Sequence, residues 1–324
     1  MLRCLPALDT LSIAASMMAV VWGVSACQTQ PVQVVPHPVT QMQRAVASPT
    51  GKLIFIHLQG HGSERTARII ECNVDGTNPR VLTRINGTIM SLSASPVDAR
   101  IIYTMQAGRS YPVVVTLDRK TGQTVTISPT NTNNFSGVIS PDGQQFLLSH
   151  SLTGNPEIFL LNAQGQRQLT RQTAIDVAPV WLPDGQSFLF TSDQHQFLYP
   201  QIYRYDIGSQ QITRVTQTGK TNAMARVSPN GRFISFVANN DQGMLMALAS
   251  NATIAINNEG LAEPANFSAD GNYLVFSAKN QLKIVPVPKL KQGRFLPVQS
   301  SQTVSVAGVD MANATLREPI WVSH

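Results

Sequence analysis

The residues of this 324-residue chain that could do acid–base, nucleophilic or metal chemistry are few, and their spacing argues against most of it. His57 and His61 stand four apart, the interval at which two imidazoles share a helix face and take zinc. Here they bridge a strand end and a glycine-rich loop (HLQGHG), so no shared metal is expected. His150 and His195 fall in corresponding loops of neighbouring repeats and could pair on a rim. Asp142, Asp184 and Asp270 recur at one place in the repeat, as a ring of carboxylates would. Each, however, sits just before a turn glycine, where a short acidic side chain serves the backbone. Gly219-Lys220-Thr221 ends like a phosphate loop, but the glycine required five residues earlier is replaced by Arg214. No G-x-S-x-G elbow is present. The expectation is a protein with no catalytic residue, no metal and no cofactor.

Cysteine occurs three times. Cys4 lies in a segment, residues 1–26, that reads as a targeting leader. Arg3 supplies its positive start, and Leu11 to Val24 is an apolar run too short to cross a bilayer comfortably. The run ends in Val24-Ser25-Ala26-Cys27, which resembles the lipobox of bacterial lipoproteins. That resemblance implies cleavage before Cys27, acylation there and a stable membrane anchor. Gln28 after the cysteine implies the outer membrane. An ordinary cleaved leader, leaving a soluble periplasmic protein, is the alternative. From Cys27 to Ala45 the chain is rich in Pro and Gln and reads as an extended tether of ~50 Å. Cys72 then stands alone on an apolar strand as a buried, unreactive thiol.

The elements that must position any site come from a repeat. Its tight turn has its second residue at Pro49, Pro96, Pro141, Pro183, Pro229 and Ala269, so the period is 40–47 residues. Four to seven residues after each, a short β-branched or aromatic run follows, such as Leu53-Ile-Phe-Ile56, Phe188-Leu-Phe190 or Tyr273-Leu-Val-Phe276. Runs this short, bounded by Gly and Pro, are strands buried on both faces and not helices. Six units of four strands predict an all-β, six-bladed β-propeller over residues 46–324. The tail Glu318-Pro-Ile-Trp321 copies Ala178-Pro-Val-Trp181, and the first unit lacks an inner strand. The C-terminal strand is therefore expected to close the first blade and remove the free sheet edges.

The P-x-W-x-P-D-G-x-x-x-x-F-x-S-D unit at 179–193, the pairs Ile158-Phe159 and Ile202-Tyr203, the Leu-Thr blade ends and the Pro-x-Trp tail resemble the propeller domain of the TolB family. TolB proteins are periplasmic components of the Tol–Pal system, and they carry an α/β domain ahead of the propeller where this sequence has the short tether. The resemblance implies a non-catalytic protein-binding scaffold of the cell envelope, supporting outer-membrane integrity. The leading candidate partner is a Pal-like lipoprotein.

Formal net charge is +6 with charged residues only 13% of the chain, which is mild basicity and no nucleic-acid footprint. Lys283, Lys289, Lys291 and Arg294 form the densest patch, read as a solvated outer edge, with a site for anionic lipid headgroups as the alternative. Partner binding is expected on loops at the channel mouth, because a rigid ring positions them. Phe135, Phe197 and Tyr199 are the candidate anchors, with Leu198 beside them. Arg109, Arg171 and Asp176 are the candidate polar rim. A monomer is expected. A propeller enzyme acting on a carbohydrate or lactone, which would need His or acidic groups converging on the axis, is one alternative. A glycan-binding protein with aromatic platforms is another.

Overall fold

The computed structural model describes residues 49–323. The leader, Cys27 and the tether expected over 27–45 lie outside the described residues. Apart from a single turn of 3-10 helix, Gly62–Glu64, the regular elements among the described residues are all β-strands. The runs that follow the turns are buried on both faces: Leu53 to Ile56, Phe188 to Phe190 and Leu274 to Phe276 are at most 1% exposed. Successive side chains of a strand point to opposite faces, so such strands need cover on both sides.

Seven strands form one hydrogen-bonded strip, in the order Thr315–Val322, Lys52–Gln59, Thr66–Asn73, Arg80–Ala94, Arg100–Ala107, Val113–Asp118 and Thr124–Thr126. The strip is two up-and-down sheets in series. Arg80 to Asn86 pair with Thr66–Asn73, while Gly87 to Ala94 pair with Arg100–Ala107. Gly87 permits this handover, since its φ is +151° and a Cβ there would lie 2.0 Å from the Gln106 carbonyl oxygen. Four further four-stranded sheets follow, beginning with Asn134–Ile139, Asp176–Trp181, Asn222–Val227 and Asn266–Phe267. In the last of them a hairpin, Leu290–Lys291 with Arg294–Phe295, is inserted between strands Gln281–Pro286 and Gln302–Val304.

The C-terminal strand runs antiparallel to Lys52–Gln59, pairing Lys52 with Val322, Leu53 with Trp321 and Leu58 with Thr315. Trp321 Nε1 also donates to the Thr50 carbonyl at 2.9 Å. Packing follows chain order. Ile54, Ile69, Ile101 and Tyr103 join the two halves of the strip. Ile102, Val114, Ile139 and Leu148 join the strip to the next sheet, and three further clusters continue the series. A sixth, with Leu53, Phe55, Cys72, Val275, Ile284 and Trp321, packs the last sheet on the first. Between the halves of the strip, buried Glu71 accepts from Arg119 Nη1 at 2.6 Å and from Arg80 Nη2 at 3.0 Å. Burial pushes the Glu71 carboxyl up, but these two guanidinium groups outweigh it and hold it below the ordinary range.

In an up-and-down sheet successive turns emerge at alternating edges. The turns at Pro96, Pro141, Pro183 and Pro229 therefore share one edge with the turns between third and fourth strands. Loops between second and third strands, and the connections to the next sheet, share the other. These are the turn edge and the loop edge below.

Candidate functional site

The loop edge carries most of the residues singled out from the sequence. Phe197 and Leu198 are 72% and 67% exposed, so they do not fold back onto their sheet. What holds them is Asp193, a residue the sequence reading passed over. Its buried carboxylate accepts from Leu198 N at 3.3 Å and, through its other oxygen, from Ile175 N at 2.9 Å. One side chain thus fastens the 193–199 loop to the 171–176 connection and keeps two backbone donors satisfied. Ile175, 42% exposed, is presented beside them. Tyr199 is half-buried, with Lys220 Nζ 5.8 Å above its ring. Arg109 and Arg171 are exposed.

Phe135 belongs to a second feature that no single repeat reveals. The inner strands break register near the loop edge: between Ile89 and Ser91, Asn134 and Ser136, Val177 and Val180, and Ala223 and Arg226. The C-terminal strand breaks register opposite Ile54 and Ile56. β-Bulges of this kind re-aim side chains. Met90, Phe135, Ala178, Met224 and Glu318 line one central cavity of about 220 Å³. Ala178, Met224 and Glu318 have φ of +52°, +57° and +47°. A non-glycine residue held there costs on the order of 1 kcal/mol, so its recurrence at one place marks a constrained inner wall.

That wall also carries charge. Arg226 Nη2 donates to Glu318 Oε2, while Arg317 Nε donates to Glu263 Oε1. The Glu318 backbone N–H donates to Glu263 Oε2 at 2.5 Å. Burial, and then the Glu318 charge, raise the Glu263 carboxyl above its ordinary range against the pull of Arg317. At the turn edge a wider cavity of about 440 Å³ is lined by Pro96, Pro141, Pro183, Pro229, Phe267 and Trp321, from distant parts of the chain.

The expectations for Asp176, His150 and Lys283 are corrected. Asp176 is 0% exposed and does not belong to a polar rim. Burial, offset by Ser192 and Thr170 and reinforced by the Glu157 charge, pushes its carboxyl up to about 6. His150 is also 0% exposed, stacked on Phe159 with ring centroids 3.8 Å apart, so it forms no rim pair with exposed His195. His57 is buried with Nε2 2.8 Å from the Asp310 carbonyl oxygen, whereas His61 is exposed. Among the described residues, no three His, Cys, Asp or Glu side chains gather as metal ligands. Asp142, Asp184 and Asp270 accept backbone N–H bonds inside their own turns, at 3.0, 2.9 and 3.0 Å. Lys283 leaves the basic patch, being buried and bonded to Glu259 at 2.5 Å.

A family profile described as TolB beta propeller domain matches residues 41–321. The Tol-Pal system protein TolB of Bordetella pertussis is 30% identical over 136 residues, covering 41% of this chain and 30% of that protein. The corresponding protein of Bordetella parapertussis matches equally. The chain thus spans about a third of the length of these curated relatives. Among solved structures, TolB from Acinetobacter baumannii superposes with a TM-score of 0.70 at 26% identity, covering 84% of this chain and 66% of that one. A putative TolB from Agrobacterium tumefaciens superposes at 0.55 and 17% identity, covering 84% and 99%.

Proposed function

The chain belongs to the TolB β-propeller domain family, and from that premise we propose that it is a non-catalytic, protein-binding scaffold of the bacterial cell envelope. The ring is six blades, with the C-terminal strand as the inner strand of the first. The pairing of Leu53 with Trp321 and the cluster that packs last sheet on first support that closure. Residues 1–26 are a lipoprotein leader and 27–45 a tether from acylated Cys27, which holds residues 46–324 at the periplasmic side of the outer membrane as a monomer. Partners are envelope proteins, a Pal-like lipoprotein first among them.

The observation that carries this reading is the rim at the loop edge. The Asp193 carboxylate fixes the backbone that presents exposed Phe197, Leu198 and Ile175, at the same edge as Phe135 on the cavity wall. Large apolar side chains presented to solvent on a backbone so held cost less ordering entropy when covered, which is what interface anchors require. Arg109 and Arg171 lie exposed at the same edge and supply polar contacts. The test is cross-linking in cells followed by mass spectrometry. With Phe197→Ala/Tyr199→Ala, loss of about 2 kcal/mol per anchor lowers affinity about thirtyfold for each, and partner recovery falls accordingly. Undiminished recovery of the same partners would remove this site.

A further inference from the structure

Away from the rim lies a groove of about 690 Å³ beside the sheets that begin at Asp176 and Asn222. Its walls carry Arg204, Arg214 and Arg232, and Leu290 of the inserted hairpin also lines it. The hairpin has no counterpart in the other sheets. Its sequence, Lys289-Leu-Lys-Gln-Gly-Arg-Phe-Leu296, interleaves three cations with three large apolar residues. Leu290 pairs with Phe295 and Lys291 with Arg294 across the ladder. Phe295 packs on Phe233 with ring centroids 5.8 Å apart, and Arg232 Cζ lies 5.6 Å over that same Phe233 ring. Hairpin and groove are therefore one surface.

Arg204 sits 3.7 Å from Asp184 and contributes little excess charge. Arg214, Arg232, Lys289, Lys291 and Arg294 form no ion pair among the described residues. The three hairpin cations are exposed, and Leu296 beside them is 43% exposed. The hairpin follows the end of a third strand, which places it at the turn edge. The described chain also begins at that edge, where the Thr50 carbonyl meets Trp321. The Phe197 rim is at the opposite edge.

We propose that this hairpin and groove are a docking surface for a membrane bearing anionic phospholipid headgroups. Exposed Arg232, Lys289, Lys291 and Arg294 at this edge, with half-buried Arg214 on the groove wall, supply the attraction to phosphates, with guanidinium forks suited to them. Leu296, exposed beside Lys289, suits the boundary between headgroups and acyl chains. Docking by this surface turns the Phe197 rim away from the membrane, toward partners. The inference does not depend on the identity of the partner at the rim.

The test uses the chain from Gln28 onward, exported behind a cleavable leader so that no acyl chain contributes. It includes the whole compact unit from Ser48 to the C-terminus. Co-sedimentation is measured with vesicles of phosphatidylcholine alone and of phosphatidylcholine mixed with phosphatidylglycerol. The wild type is expected to bind only the mixed vesicles, and to be released by salt within the physiological range. Lys289→Gln/Lys291→Gln/Arg294→Gln should lose about fivefold for each cation, about a hundredfold together, with an unchanged unfolding midpoint. Lys289→Arg/Lys291→Arg should retain binding. Equal binding of both vesicle types, or full binding by the triple Gln variant, would overturn the proposal. So would capture of poly-glutamate or soluble glycerol phosphate with no binding to the mixed vesicles, because the surface would then serve an acidic protein or a free phosphate.

Discussion

Replacing Asp176 by Asn should make this protein more stable, and only above about pH 5. Asp176 is 0% exposed, and neither carboxylate oxygen finds a well-formed hydrogen bond. Its neighbour across the sheet-to-sheet contact is the carboxylate of Glu157, which accepts from Thr170 Oγ1 at 2.5 Å and Gln172 N at 2.8 Å. The next repeat solves the same position without a charge. There Asn222 Nδ2 donates to Gln201 Oε1 at 2.8 Å, Thr216 Oγ1 donates to the same oxygen at 2.9 Å, and Ile202 N donates to Thr216 at 3.0 Å. Ile158 N donates to Thr170 at 2.9 Å in the same way. Asp176 and Glu157 are thus the acidic counterparts of Asn222 and Gln201, and an Asn at 176 would supply the missing donor. Raising the carboxyl from 3.8 to about 6 corresponds to about 3 kcal/mol.

The sign follows from the direction of that shift. A carboxyl raised in the folded state contributes its full stability below the unfolded value and loses it as pH rises through about 6. At about pH 8 Asp176→Asn should therefore unfold about 3 kcal/mol later in urea, and its melting midpoint should rise by roughly 6 °C. Below about pH 4 the two proteins should match. Urea unfolding of wild type and variant across this range is the assay. A variant with the wild-type pH slope, or one destabilised at every pH, would refute the carboxyl–carboxylate account.

Arg226→Met should cost about 3 kcal/mol in urea unfolding at neutral pH, because it strands the buried Glu318 carboxylate beside Glu263; a loss below about 1 kcal/mol would mean the pair is not desolvated. Deleting residues 315–324 should leave soluble protein scarce and oligomeric by size-exclusion chromatography, since the wholly buried edge strand Leu53–Ile56 loses its partner. A soluble monomer of native far-UV spectrum would show that pairing with that strand is dispensable. Cys72, buried with its thiol pushed up to about 12, should resist maleimide at neutral pH in the folded protein and react on unfolding, read by mass spectrometry. Rapid labelling of the native state would place the thiol at the surface.

Much of the architecture was legible because the repeat writes its turns in residues with one backbone use. Gly143, Gly185, Gly231 and Gly271 all have positive φ, between +65° and +77°, and the runs after them are apolar at consecutive positions, so strand type and double-sided burial were plain. The long strand Arg80–Ala94 was not. Its first part resembles a polar outer strand and its second an inner one, and only the two pairings show one strand serving two sheets. The site was half legible. Aromatic loop residues Phe197 and Phe135 stand out by type, whereas Asp193 looks like any loop acid until its two oxygens are seen to bind separate segments. Asp176 was misplaced for the mirror reason. It follows a polar loop in the chain, but it is the first residue of an inner strand and the next sheet covers it.

By itself the sequence determined what recurs: the period, the all-β character, the family and the turn chemistry, because each is set by residues within a few positions of one another. Tertiary structure alone decided which charges are spent and which are free. Lys283 and Lys289 are six residues apart and look alike in the chain, yet one is buried against Glu259 and the other is exposed at the start of a hairpin that packs on Phe233. Charge pairing and solvent exposure depend on which distant segments meet, and here those meetings are between neighbouring sheets and between the first and last strands of the described residues.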